Sequence, residues 1–389
     1  MFKFIGLVFL FLVLEFCSIS ENNSIVTGAG QPEKYLPLLK NKKVGLVVNN
    51  TSVIGNTHLV DFLLSKNIQI EKIFAPEHGF RGDASAGAKI KDGIDSKTEI
   101  KVFSLYGKTR KPTPEHLKNI DIIVFDIQDV GCRFYTYIST MHLVMEACAE
   151  NGIPVIVFDR PNPNGDYVAG PIRKPEFKSF VGMDPIPIVH GLTVGELAKM
   201  INGEGWLDTD KKCDLTVIKV KNYTHSTKYE LPVRPSPNLP NYRAVRLYPS
   251  LCFFEATSVS VGRGTDFPFQ AIGGLQPNLG TFVFTPRSIP GVAINPLNKD
   301  KKCYGIDLRK LNEIPTFTLK YFIEFYSKYK NKNEFLTREK WLNKLAGTDD
   351  LIQQIRANKT ENEILQSWQP ELNRYKKIRK KYLLYPDFE

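Results

Sequence analysis

The chain places a carboxyl group, an imidazole and a guanidinium on one glycine-containing turn, Pro76-Glu-His-Gly-Phe-Arg81. Glu77 has a side chain that can exchange a proton in hydrolysis, and His78 and Arg81 could support it. The turn follows an apolar run, Ile70 to Phe74, which predicts a buried strand. Because open α/β sheets bind ligands beyond the carboxyl ends of their strands, Glu77 is predicted to face a ligand. The alternative is a surface-loop glutamate that forms a salt bridge with Arg81.

Polar side chains also follow two later apolar runs, which end at Phe125 and at Phe158. The candidates after these runs carry carboxyl, guanidinium, phenol or amide groups, and they are Asp126, Asp129, Arg133, Tyr135, Tyr137, Asp159, Arg160 and Asn162. A guanidinium binds a carboxylate with a rigid two-pronged fork, and a tyrosine ring can stack on a sugar face. Asp126 could instead cap the following helix, and the run after Phe158 has the composition of a turn. Three polar strand ends on one side of a sheet nevertheless suggest an active site.

The second half of the chain holds one further dense patch, from Glu255 to Asp266. Its glutamate is flanked by two phenylalanines, and the Gly262-Arg-Gly264 turn would let the backbone approach a ligand closely. The alternative is an edge strand followed by a glycine turn. His190 precedes a helix whose amino terminus could help to bind an anion, although it could equally be an ordinary hydrogen-bonded histidine.

Several common catalytic signatures are absent from the sequence. The first strand is not followed by a dinucleotide-binding glycine pattern, and there is neither a phosphate-binding loop with lysine nor a glycine-flanked nucleophilic serine. No histidine motif or cysteine pair has the spacing of a metal site. Hydrolysis of a glycosidic bond normally uses two carboxyl groups, and Glu77 is the best placed candidate for one of them. We therefore expect a hydrolase that works with carboxyl groups and without a cofactor or metal.

The first half of the chain alternates strand and helix patterns at the spacing of β–α units. Strands are predicted over residues 43–49, 70–74, 101–105, 121–125, 154–158 and 214–220, and helices over 57–66, 140–150 and 194–201. Continuously apolar strands that alternate with helices predict a parallel sheet covered on both faces. Thr193 and Glu196 match a helix capping box.

Composition changes near residue 232. Five prolines between Pro232 and Pro249 predict a segment without regular helix or central strand, either a crossing into a second subdomain or a long loop lining a cleft. Beyond it, strands are predicted over residues 253–261 and 281–284, and helices over 319–329, 338–345, 349–358 and 364–368, the last after a capping box at Thr360 and Glu363.

The 389-residue chain is 42% hydrophobic and 24% charged, as in an ordinary soluble globular protein. Residues 1–20 combine Lys3, an apolar stretch and terminal small residues, which predicts a signal peptide and a secreted or periplasmic protein. Lipid attachment at Cys17 is a second possibility, but Glu15 and Phe16 are not the small residues expected before it. No later stretch is long and apolar enough for a transmembrane segment. The net charge of +11 suits an acidic partner such as a carboxylate-bearing glycan, and secretion argues against nucleic acid.

The chain resembles the NamZ-type exo-β-N-acetylmuramidases, a family of peptidoglycan-degrading glycoside hydrolases, in several short sequence motifs that occur in the same order. These motifs are Val44–Thr51, Ala75–Asp83, Ser104–Lys108, Phe125–Gly131, Arg133–Tyr137, Asp159–Pro163, Gly262–Thr265 and Arg379–Tyr385. The resemblance implies an α/β fold with a Rossmann-like parallel-sheet domain over residues 21–235 and a smaller C-terminal α+β domain over residues 236–389. It places the active site in the cleft between them. It also implies release of N-acetylmuramic acid from the non-reducing ends of peptidoglycan fragments without a cofactor.

The resemblance also implies roles for individual residues. The family's catalytic glutamate corresponds to Glu77, and a second family glutamate corresponds to Glu255 on the strand predicted before the Gly-Arg-Gly turn. Val261 replaces a further family glutamate, and Cys132 replaces a small hydroxyl residue. The candidate catalytic residues are Glu77, Glu255, His78 and Asp129, and the second catalytic group is Glu255, Asp126, Asp129 or a water assisted by histidine.

The candidate substrate-binding residues are Arg81, Asp126, Arg133, Tyr135, Tyr137, Asp159, Arg160, Asn162, His190 and Arg263. Among them Arg133, Arg160 or Arg263 could select muramic acid by pairing with its lactyl carboxylate. A cell-wall protein that binds glycans in the same cleft without cleaving them is the alternative function.

Overall fold

The structure, a computed structural model, describes residues 24–80 and 92–389. Arg81 and the residues of the proposed signal peptide lie outside the described ranges. The described elements of the first half are, in chain order, α1 (Pro32–Leu39), β1 (Val44–Val48), β2 (Val53–Ile54), β3 (Thr57–His58), α2 (Leu59–Ser65), β4 (Ile70–Ala75), β5 (Gly93–Ile94), β6 (Lys101–Ser104), α3 (Pro114–Leu117), β7 (Ile122–Asp126), α4 (Tyr137–Asn151), β8 (Val155–Phe158), α5 (Val194–Glu204) and β9 (Leu215–Ile218).

Within the described residues, seven strands form one sheet in the order β5-β6-β4-β1-β7-β8-β9. Every neighbouring pair is parallel except β5 with β6. Strands β1, β7 and β8 are buried at every residue, because α1 and α2 cover one face of the sheet and α4 and α5 cover the other. The prediction of a parallel sheet with helices on both faces is confirmed. The capping box that opens α5 is also confirmed, with Thr193 accepting from the Glu196 amide.

The second half packs a small sheet against a group of helices. Its described elements are α6 (Tyr242–Leu251), β10 (Ala271–Gly274), β11 (Phe282–Phe284), β12 (Cys303–Asp307), α7 (Lys320–Lys328), α8 (Lys332–Phe335), α9 (Glu339–Ala346), α10 (Asp350–Arg356), α11 (Glu361–Ser367) and α12 (Gln369–Arg379). Strand β12 lies between β10 and β11 and is antiparallel to both. One apolar core runs from α4 and α5 of the first half into these helices, so the two halves are packed together without a solvent layer.

The proline-rich segment contains a helix, so the prediction of an irregular segment up to Pro249 is wrong. Four of the five prolines precede Asn241, which caps α6 by accepting from the Ala244 amide at 3.0 Å. Pro249 lies inside α6 and has no N–H for the carbonyl of Val245, four residues earlier. That carbonyl instead accepts from Asn164 Nδ2 at 3.2 Å, so a side chain of the first half replaces the missing helical bond.

The strand predicted over residues 253–261 is also not formed, and Glu255 lies on a 3-10 helix, Cys252–Ala256, that continues α6. Phe253 and Phe254 are adjacent and both fully buried. In a strand, adjacent side chains point to opposite faces, and only one of them could enter a one-sided core. The helical turn lets both rings pack, for example against Phe322, while Glu255 stays half-buried.

No helix in the two described ranges is long and apolar enough to span a membrane. The cysteines of these ranges are all free and buried.

Candidate active site

A cavity of about 790 Å³ lies between the sheet domain and the C-terminal half. Three of the predicted site residues line it from the sheet domain, Glu77, His78 and Tyr135. Glu255 and Arg263 line it from the other side. The fold therefore brings both candidate glutamates, which are 178 positions apart in the sequence, to one cavity.

Glu77 stands directly beyond the carboxyl end of β4 and is half-buried. Thr136, at the start of α4, donates its hydroxyl to Glu77 Oε2 at 3.1 Å. Tyr106, beyond the end of the neighbouring strand β6, also contacts the carboxyl group. Burial, the charge of Glu77 and a hydrogen bond to it raise the pKa of Tyr106 above its ordinary value, so that phenol stays protonated. Two hydroxyl groups from adjacent elements thus hold the carboxyl group in place.

The backbone of the Pro76–Gly79 turn adopts an unusual conformation. His78 has a φ of 72°, in the left-handed region that side-chain-bearing residues rarely adopt, and Gly79 follows with a φ of 79°. The Gly79 amide closes the turn by donating to the Pro76 carbonyl at 3.1 Å. A non-glycine residue in this region costs on the order of 1 kcal/mol, which is typical of segments held in place for a function. His78 itself is buried against the cavity wall.

Tyr135 and Tyr137 form an edge-to-face pair beside Glu77, with ring centroids 4.8 Å apart. Both hydroxyls donate to the carbonyl of Pro235, at 2.7 and 3.2 Å. Burial raises the pKa of both phenols, which keeps them protonated as donors. Tyr135 reaches the cavity, whereas Tyr137 lies behind it and is 3.4 Å from the Glu77 carbonyl oxygen.

Glu255 forms the opposite wall and is paired with Arg263, whose Nη2 lies 2.5 Å from Glu255 Oε1. The guanidinium of Arg263 also lies over the ring of Phe269, 5.1 Å from its centroid. Arg338, the residue before α9, donates to the backbone carbonyl of Glu255. The position of this carboxylate is therefore fixed by charge-assisted contacts rather than by hydroxyl groups.

Arg133 does not reach the cavity. Its side chain is 1% exposed, and its two terminal nitrogens donate to four backbone carbonyls at 2.6 to 2.9 Å. Two of these carbonyls belong to Pro171 and Ile186 of the sheet domain, and two belong to Leu345 and Ala346 of α9. The predicted substrate ligand is instead a buried connection between the two halves.

The Asp126 and Arg160 side chains bind each other. Arg160 Nε and Nη2 donate to the two Asp126 carboxylate oxygens at 2.6 and 2.9 Å, and both residues are buried. Asp159 is fully buried and accepts from Thr193 Oγ1 and the Gly195 amide, each at 2.7 Å. These groups stand at the predicted sheet edge, but the chain covers them.

Asn162 is buried beneath the same part of the edge, where its Nδ2 donates to the Leu192 carbonyl at 2.8 Å. It therefore lies outside the cavity lining, as do Asp126, Asp159 and Arg160.

Asp129 and His190 form a second buried group behind the tyrosine pair. Asp129 Oδ2 accepts from the Gly131 amide at 2.6 Å and lies 3.6 Å from His190 Nε2. His190 Nδ1 accepts from the Leu192 amide at 3.2 Å, so a neutral imidazole here carries its proton on Nε2. Neither Asp129 nor His190 lines the cavity.

Several residues that line the cavity were not singled out from the sequence. They are polar or aromatic, and they include Tyr106, Arg110, Thr136, Phe180, Arg338, Trp341 and Lys344. Tyr106 could have been found, because it follows the apolar strand β6 as Glu77 follows β4. The residues of α9 carried no such signal. No cluster of three or more metal-ligand side chains occurs in the described part of the chain.

Comparisons with known proteins show which family and which solved structures the chain resembles. The family model for the N-terminal part of exo-β-N-acetylmuramidase NamZ matches residues 44–243, and the model for its C-terminal part matches residues 246–385. The chain is 41% identical over 374 residues to the peptidoglycan β-N-acetylmuramidase NamZ of Bacillus subtilis (strain 168), covering 90% of this chain and 89% of that protein.

Two crystal structures of DUF1343 family proteins from Bacteroides fragilis NCTC 9343 have the same fold. One is 47% identical with a TM-score of 0.86, covering 94% of this chain and 99% of that one. The other is 30% identical with a TM-score of 0.80, covering 93% and 99%.

Proposed function

The chain belongs to the NamZ family of glycosidases, and on this premise we propose that it hydrolyses the glycosidic bond of N-acetylmuramic acid at the non-reducing end of peptidoglycan fragments. The observation that supports this most is the cavity between the two halves, which has one glutamate on each wall, Glu77 and Glu255. Two carboxyl groups that flank one bond are the usual requirement for glycoside hydrolysis.

We assign the general acid to Glu77 because of its neighbours. The hydroxyls of Thr136 and Tyr106 can each donate or accept a hydrogen bond, so they can stay in contact with the carboxyl group before and after it releases a proton. Glu255 is bound to a guanidinium, which offers donors only and suits the ionised carboxylate that a nucleophile or a base needs before it reacts. Glu255 is thus the proposed nucleophile or water-activating base.

The test is hydrolysis of an aryl β-N-acetylmuraminide by purified protein and by Glu77→Gln. We expect the variant to lose roughly 10²- to 10⁴-fold in kcat, because it cannot donate the proton. Glu71→Gln is the matched control, since Glu71 lies near the start of β4, the strand that ends before Glu77, and outside the cavity. Wild-type protein that binds muropeptides without turnover would refute the proposal and favour the non-catalytic function.

The cavity also offers a cation for the lactyl carboxylate that distinguishes N-acetylmuramic acid from N-acetylglucosamine. Arg133 and Arg160 are occupied elsewhere, and Arg263 is paired with Glu255. Arg110 lines the cavity, and its guanidinium carbon Cζ lies 4.4 Å from the centroid of the Phe180 ring. It forms no salt bridge with a carboxylate of the described residues.

We assign the recognition of the lactyl carboxylate to Arg110. In Arg110→Gln, the preference for an aryl muraminide over the matching aryl glucosaminide should fall by roughly tenfold, the value of one charge-assisted hydrogen bond. An unchanged preference would exclude this role.

We also propose that the protein works outside the cytoplasm, where its substrate lies. The support is the charged, apolar and small-residue pattern of residues 1–20. Mass spectrometry of the mature N-terminus would test this. A new terminus near Glu21 is expected, a lipid-modified Cys17 would indicate an anchored protein, and an intact Met1 would contradict export.

A further inference from the structure

A second depression, here called the rim groove, continues the cavity on the C-terminal side. It has a volume of about 460 Å³ and is lined by Thr337, Arg338, Glu339, Lys340, Trp341 and Lys344, at the start of α9. Arg338, Trp341 and Lys344 also line the main cavity. The same three side chains therefore border both spaces, which places the rim groove beside the cavity.

The two adjoining spaces differ in their exposure to solvent. The cavity reaches inward to buried side chains such as Tyr248, Phe254 and Phe269. In the rim groove, Thr337 and Lys340 are exposed to solvent. An enzyme that removes a terminal sugar holds that sugar at the closed end, so the rest of the glycan has to leave through an open end such as this one.

The rim groove carries uncompensated positive charge beside an aromatic ring. Its one carboxylate, Glu339, is bound by both terminal nitrogens of Arg356, at 2.8 and 2.7 Å. Lys340 and Lys344 form no ion pair with any residue of the described ranges, and being four residues apart on α9 they lie on one side of the helix. Trp341 is half-buried next to them.

We propose that the rim groove binds the leaving portion of a peptidoglycan fragment, with Trp341 against a sugar ring and the lysines on a carboxylate of that portion. This inference rests on the proposed function of the cavity. The chemistry fits the substrate, because carboxylates recur along peptidoglycan as lactyl groups and as stem-peptide groups. The amphipathic indole ring of Trp341 can lie against a sugar, and the flexible lysine side chains can reach carboxylates whose position varies along the glycan.

The experiment compares two substrates that share the terminal sugar. One is an aryl β-N-acetylmuraminide, and the other is a peptide-free tetrasaccharide with N-acetylmuramic acid at its non-reducing end. We expect the ratio of kcat/KM for the tetrasaccharide to that for the aryl muraminide to fall roughly tenfold in Trp341→Ala and roughly threefold in Lys340→Gln. Lys40→Gln is the control, since this exposed lysine follows α1 and lies outside both spaces. An unchanged ratio in both groove variants would overturn the proposal.

Peptide-bearing tetrasaccharides distinguish the two sources of the carboxylate. A larger effect of Lys340→Gln on them than on peptide-free tetrasaccharides assigns the contact to a stem-peptide carboxylate. A smaller effect assigns it to the lactyl carboxylate, because attachment of the stem peptide converts that carboxylate into a neutral amide. Loss of this effect at 0.5 M NaCl is expected of a charge contact. No effect on either tetrasaccharide contradicts carboxylate recognition by the groove.

Binding measurements keep the groove testable if the proposed activity fails. Titration calorimetry with Glu77→Gln should show tighter binding of the tetrasaccharide than of free N-acetylmuramic acid, and Trp341→Ala introduced into this variant should remove the difference. Wild-type protein that cleaves neither substrate while this difference persists would refute the activity and leave the groove supported. Cleavage of both substrates without any groove effect would refute the groove alone.

Discussion

Replacement of Arg133 by methionine separates a structural role for this residue from the role in substrate binding that its sequence position suggested. The guanidinium donates to carbonyls of the sheet domain, such as Ile186, and to carbonyls of α9, such as Ala346. Methionine keeps the apolar stem but supplies no donor. Four buried carbonyls would then lose a hydrogen bond in one substitution.

The expected loss of stability is about 4 kcal/mol. Hydrogen bonds from a charged group contribute on the order of 2 kcal/mol each, or about 8 kcal/mol for the set. Burial of the guanidinium, which lowers the pKa of Arg133 to about 9, offsets roughly half of this. For a chain of this size, the net loss corresponds to a fall in Tm of about 5 °C.

The assay is thermal unfolding together with hydrolysis of an aryl muraminide at a temperature where the variant is folded. We expect the Tm of Arg133→Met to fall while kcat/KM per folded molecule changes by less than about threefold. Arg374→Met, at an exposed position on α12, should leave the Tm within about 1 °C. An unchanged Tm combined with a loss of roughly 30-fold or more in kcat/KM would refute the structural role and restore Arg133 as a substrate ligand.

Two further predictions concern buried polar groups. Burial and the nearby charge of Glu196 raise the pKa of Asp159 to about 6, above its unfolded value near 4. The folded state therefore binds the Asp159 proton more tightly than the unfolded state, and this stabilisation of the fold is present at low pH and is lost as pH rises through 6. Urea unfolding should therefore show the stability of wild type relative to Asp159→Asn falling by about 3 kcal/mol between pH 4 and pH 7, and a constant difference would contradict this. Asn164→Ala should cost about 2 kcal/mol by leaving the Val245 carbonyl without its donor, and Pro249→Ala should recover part of the loss in that background by restoring the helical N–H. Strictly additive effects in this double-mutant cycle would contradict the contact.

Six strands of the seven-stranded sheet and the helices α2, α4 and α5 could be predicted because each depends on local patterns, whereas α1, α3 and β5 were not predicted. Continuous apolar runs define β1, β7 and β8, and the Thr193 to Glu196 spacing defines the start of α5. The C-terminal half was less predictable where local propensity and packing disagree. Pro249 should end a helix, yet an amide from Asn164 compensates for the missing donor. That donor is 81 positions away, beyond any sequence window.

The position of the site along the sheet edge was also difficult to predict from the sequence. The general rule places ligands where the strand order reverses, here between the parallel strands β1 and β7, which lie side by side at the centre of the sheet. In this protein the loops that follow β1 and β7 close that crevice by binding each other. Thr51 Oγ1 accepts from the Gln128 amide at 3.0 Å, and the Ser52 hydroxyl donates to the Asp126 carbonyl. Thr51 and Ser52 follow β1, and nothing in the sequence distinguishes such structural polar residues from residues that bind a ligand.

The far end of the same edge is closed by the C-terminal tail. Tyr385 donates to Asp159 at 2.5 Å beyond β8, and the Leu384 amide donates to Glu196 at 2.7 Å. What stays open is the side formed by β4 and β6, whose ends present Glu77 and Tyr106 to the cavity. Polar residues at strand ends could therefore be recognised from the sequence as a set, but only the packing of the tail and of α9 decides which of them meet a substrate. The rim groove follows from the same packing, because Arg133 holds α9 beside the part of the edge that the described residues leave accessible.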